Sequence, residues 1–105
     1  MTRVEAIRQV LENLTVIDAI ADPSAEDART VGRRLDQETA RLAERGLVWW
    51  DADAIPDSVA GPFCDLVATA SQNAFGKQYD STGAEAKIAA VKSTARNEPV
   101  RTLYY

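Results

Sequence analysis

Residues 24–46 read SAEDARTVGRRLDQETARLAERG. Ala28, Val31, Leu35 and Leu42 recur at the three- and four-residue spacing of one helix face, with Thr39 filling the gap. The other faces alternate in sign through Arg34, Asp36, Glu38, Arg41 and Glu44. Ser24 or Asp22 can cap the start after the Asp22-Pro23 break, and Gly46 is a natural left-handed stop. The pattern predicts a helix from about residue 25 to 45, the longest in the chain. Its charged side is either solvated or at a subunit boundary. Its apolar stripe has to be covered, and what covers it decides the fold class.

Upstream, Thr2 and Glu5 match a capping box. Val4, Ile7, Leu11 and Leu14, widened by Val10, give a first helix from Thr2 to about Leu14. Thr15, Val16 and Ile17 are β-branched and weaken helix propensity, and Ile17 and Ile20 are expected to pack as an apolar lid. Downstream lies GLVWWDADAIPDS, residues 46–58. If extended, it points Val48 and Trp50 one way and Leu47 and Trp49 the other, as in a short strand or hairpin arm. A third helix is expected from Asp57 or Ser58 to about Phe75, with Gly76 as its stop. Val59, Phe63, Leu66, Val67, Ala70 and Ala74 form its stripe, and Pro62 predicts a bent or loosened start. Thr82 and Glu85 match a second capping box, opening a last helix to about Arg96 with Ala84, Ile88, Val91 and Ala95 on one face. Asn97 and Pro99 are expected to end it.

The expected architecture is all-α, a small bundle of about four helices with an aromatic loop and an extended C-terminal tail. Residues 1–96 make the helical domain, and 97–105 make a tail able to span roughly 30 Å when extended.

At 105 residues, 46% of them apolar and 27% charged, the chain is one ordinary globular domain that needs no metal or disulfide to fold. A net charge of -4 argues against a module that grips nucleic-acid phosphates, although Arg29, Arg33, Arg34, Arg41 and Arg45 share one segment. The single cysteine, Cys64, sits among apolar residues and reads as a buried structural thiol in a reducing interior. No apolar run approaches the roughly 20 residues of a membrane span, and the N-terminus has no signal-peptide core.

Little points to catalysis. There is no histidine, no glycine-rich phosphate loop and no cysteine pair for zinc, so no enzyme, metal or cofactor is expected. Asp51, Asp53 and Asp57 bracket a loop without the spacing of a calcium site, and read as solvated carboxylates. Ser58 and Ser71 have no visible activating base. Trp49 and Trp50 are adjacent and cannot easily point the same way. One ring can plug the bundle while the other anchors an interface. Tyr79 is expected to cover the end of the third helix. In the tail, Pro99 pre-extends the chain ahead of Leu103, Tyr104 and Tyr105, while Arg96 and Arg101 offer carboxylate contacts. The tail either packs on its own domain or serves as a docking arm.

The succession of short helix, break, long helix ending LAERGLVWW, loop to IPDSVAGPFCDLVATASQNAFGKQY, final helix and tail resembles the head-to-tail adaptors of tailed bacteriophages. The likeness is to the tail-accessory-factor type of short-tailed phages and covers roughly residues 3–96. It implies a structural virion protein at the neck, assembled in the bacterial host cytoplasm. Such a protein forms a ring, commonly of twelve copies, on the portal protein. It extends the DNA channel without sequence-specific contact and offers a platform to the next tail protein. The resemblance makes Pro99, Val100, Arg101, Leu103, Tyr104 and Tyr105 a docking arm for the portal or a neighbour. It makes residues 47–56, with Trp49, Trp50 and Ile55, an inter-subunit loop. Arg33, Arg34 and Arg41 would then meet acidic groups on the adjacent copy, and the acidic balance would let DNA slide without sticking. The alternative is a small helical regulatory protein that binds DNA, through the arginine-rich second helix, or a protein partner.

Overall fold

The computed structural model describes the backbone at residues 1–18 and 20–103, and side chains as far as Ser93 with Ala19 excepted. It is all-α: α1 is Arg3–Asn13, α2 is Ala25–Glu44, α3 is Asp57–Ser71 with a 3-10 turn at Gln72–Phe75, and α4 is Ala84–Leu103. No strand occurs among the described residues, so the aromatic loop is neither strand nor hairpin arm. α3 is the central element and packs on α1, α2 and α4, while α1 also packs on α2.

The core follows the stripes. Ala6, Ile7, Val10, Leu11 and Leu14 meet Val31, Leu35 and Leu42 of α2, and Val59, Phe63, Cys64, Val67 and Ala68 of α3, with Ile88 closing the α4 side. Burying a side chain such as Phe63 contributes about 2–3 kcal/mol. Two stripe positions among the described residues are exposed. Val4 is 73% exposed, and Ala74 is exposed in the 3-10 turn after α3. Of the expected lid, Ile17 packs on the core but Ile20 is 95% exposed.

Gly32 lets α1 and α2 approach closely. A Cβ there would lie 2.8 Å from the Arg3 guanidinium, which donates to the Gly32 carbonyl and to Asp36.

Two helices end in the same motif with different residues. At the end of α2, Gly46 donates to Ala43 and Leu47 to Leu42, with Gly46 at φ 72°. At the end of α1, Thr15 donates to Glu12 and Val16 to Leu11, with Thr15 at φ 57°. Both are Schellman closures, but a β-branched residue in the left-handed region is strained.

α1 starts with the expected Thr2–Glu5 capping box, and Ser24 caps α2. The Thr82–Glu85 box does not form. The Thr82 amide and hydroxyl both donate to Asp80 Oδ1, and Gly83, at φ 82°, precedes α4. Glu85 turns to α2 instead.

α3 runs unbroken through Pro62, where a bent start was expected. The residue before a proline normally avoids helical angles because its Cβ meets the ring. That residue is Gly61, which has no Cβ and no tertiary neighbour within 4 Å of where one would be. α4 continues past Asn97 and Pro99, where the sequence pattern ends it.

Candidate functional site

The loop between α2 and α3 is held at both ends and open in the middle. At its start, Leu47, Val48 and Trp50 pack on the core. The Trp50 ring meets Phe63 edge-on at 5.8 Å between centroids. Trp49 stands against Trp50 at 4.9 Å and 85°, and is 40% exposed. One ring therefore plugs the bundle while its neighbour faces out, as adjacency requires.

At its far end, Ile55 is 2% exposed and forms part of the core. The expected inter-subunit role of Ile55 is thereby corrected. Its amide donates to the Met1 carbonyl and its carbonyl accepts from the Met1 amino group, both at 2.8 Å. Asp53 Oδ1 accepts from the Arg3 amide at 3.0 Å, and Asp57 lies 3.9 Å from the Met1 amino group. The centre of the loop presents Trp49 and Asp51 outward.

The charged face of α2 divides in two. Arg41 pairs with Glu38 at 2.9 Å and with Glu85 of α4 at 2.8 Å, which holds its guanidinium above its ordinary pKa. Arg45 pairs with the same Glu85 at 3.1 Å, and Lys92 donates to the Gly46 carbonyl. Arg41 thus ties α2 to α4 inside one chain, where sequence reading assigned it to an adjacent copy. Arg34 reaches only Gln37, while Arg29 and Arg33, one helical turn apart and exposed, have no ion pair among the described residues.

Sequence reasoning missed a groove between α1 and the start of α2. Val4, Ile7, Ala25 and Ala28 give it an apolar surface and Arg29 stands on its rim. Its volume is about 520 Å³, within the range of ligand-sized clefts. Exposed Val4 was its signal, hidden because periodicity placed Val4 in the core stripe.

Cys64 is buried as expected, 1% exposed, and burial with the nearby Asp65 charge pushes its thiol up to about 11. Tyr79 covers the end of α3, donating to Asp65 at 2.7 Å, and burial with that bond pushes its phenol up to about 12. No group of His, Cys, Asp and Glu among the described residues is arranged to hold a metal ion. No helix among them is long and apolar enough to cross a membrane. The side chains of Pro99, Val100, Arg101 and Leu103, and all of Tyr104 and Tyr105, lie outside the described residues.

Compared with protein-family models, curated proteins and solved structures, the chain matches none.

Proposed function

We propose that this chain is a structural virion protein, a head-to-tail adaptor that assembles as a ring on the portal of a tailed bacteriophage. It extends the DNA channel and provides a platform for the next tail protein. The observation that carries the reading is Trp49. A large aromatic side chain is left 40% exposed on a loop that Trp50 and Ile55 hold firmly to the core. A rigid, outward-facing indole is the kind of group that dominates protein interfaces. The likeness over residues 3–96 supports the same reading, and so does the acidic balance, with a net charge of -4 suited to a channel wall that does not retain DNA.

The test is binding to the portal protein encoded in the same genome, with complexes imaged by electron microscopy. The full-length chain is expected to form a ring on the portal. A chain ending at Asn97 is expected to lose it, because Pro99, Val100, Arg101, Leu103, Tyr104 and Tyr105 are proposed to dock there. No binding by either chain overturns the adaptor reading. Equal binding keeps it and removes the arm.

A further inference from the structure

Resting on the ring reading, we propose that the contact between adjacent copies is head-to-tail: the Trp49 loop of one copy seats in the α1–α2 groove of the next. Among the described residues, the large apolar side chains most exposed are Val4, Ile20 and Trp49. Val4 lines the groove, and Ile20 lies two residues before Asp22, which also lines it. Trp49 lies elsewhere, beyond the opposite end of α2. Arg29 and Glu44 are separated by about 22 Å along the helix axis at 1.5 Å per residue. A projecting ring at one end and an apolar recess near the other is the arrangement a heterologous contact needs, because each copy then offers a different face to each neighbour.

Charge points the same way. Beside the groove, Arg29 and Arg33 are exposed and unpaired among the described residues. Next to Trp49 in the loop, Asp51 is exposed with no side-chain partner among the described residues. The other arginines of this surface are engaged, Arg3 with Asp36 and Arg8 with Glu12 and Asp22. Two unpaired arginines therefore stand beside the recess, and one unpaired carboxylate, Asp51, stands beside the ring. A second copy of this chain is the occupant whose chemistry matches: an aromatic anchor on an acidic loop. Like-charge contacts disfavour the two alternative pairings, loop to loop and groove to groove.

A charge-swap experiment tests this. The full-length chain is followed by sedimentation over a concentration series. Self-association is expected to grow without stopping at a dimer. Arg29→Glu with Arg33→Glu places acidic groups opposite Asp51, and Asp51→Arg places a basic group opposite Arg29 and Arg33. Each variant is expected to associate about tenfold more weakly or worse. Mixing the two is expected to restore association, because every groove then meets a loop of opposite charge. Melting curves of both variants establish that they fold. A native chain that stays monomeric, association that stops at a dimer, variants that associate like the native chain, or a mixture that restores nothing each overturn the contact. Portal binding is a separate measurement. A chain that rings the portal and fails the charge swap keeps the adaptor reading and loses only this contact.

Discussion

At the scale of single residues, two positions carry unrelieved cost. Thr15 closes α1 in the left-handed region at φ 57°, where Gly46 closes α2 without strain. Thr15→Gly is expected to raise stability by about 1 kcal/mol, measured by urea denaturation. Ser71 is fully buried and its hydroxyl has no hydrogen-bond partner among the described residues. Ser71→Ala is expected to stabilise by about 1 kcal/mol, since a buried hydroxyl without a partner forfeits its hydration. Cys64 becomes costly only on ionisation: its folded thiol is pushed up to about 11 from an unfolded value near 8.5. The folded state holds that proton longer, so its contribution is complete below about pH 8.5 and is lost as pH rises toward about 11. Tyr79, pushed up to about 12, extends the decline. Alkaline denaturation curves are expected to show this slope, and thiol reagents are expected to react with Cys64 only as fast as the chain opens.

At the scale of elements, the same spacing gave two outcomes, and local competition separates them. Thr2 and Glu5 close a capping box because no other group competes for them. Thr82 and Glu85 have the identical spacing, but Asp80 takes both Thr82 donors and Arg41 with Arg45 take Glu85. Propensity rules see neighbours three residues away, not a guanidinium 44 residues back along the chain. The result is a link between α2 and α4. Glu85→Gln is expected to cost about 0.5–1 kcal/mol at low salt and less at high salt, because the pairs are partly exposed. α3 supports a sharper test. Gly61→Ala is expected to destabilise it, since the new Cβ meets the Pro62 ring. With Pro62→Ala already in place, the same change is expected to stabilise by about 0.5–1 kcal/mol, the usual gain of alanine over glycine in a helix. A change of sign between the two backgrounds, read by chemical denaturation, is the outcome that supports this account.

At the scale of the whole molecule, the helix count, the stripes of α1 to α3 and the glycine stops were legible because each is a local, periodic signal. Ile55 was not, because its burial depends on pairing with Met1, 54 residues away, and nothing in IPDS announces that partner. The site divides along the same line. That one tryptophan faces in and one out follows from adjacency. Which arginines remain free does not, because Arg41 is consumed by a contact between distant helices. That pairing also bears on the regulatory alternative. A net charge of -4 opposes a phosphate backbone, and Arg41 and Arg45, two of the five arginines between Arg29 and Arg45, are already paired to carboxylates. Fluorescence anisotropy with duplex DNA is expected to show no binding at physiological salt.

The edge-to-face pair of Trp49 and Trp50 contains both tryptophans of the chain, so all indole emission comes from one loop. One of the two rings is lodged against Phe63 while the other is in partial contact with water. Seating Trp49 against a neighbour would remove that water and shift the emission to the blue, with the buried ring as internal reference. The protein thus carries an optical readout of its own assembly, requiring no label, at the position proposed to meet the next copy.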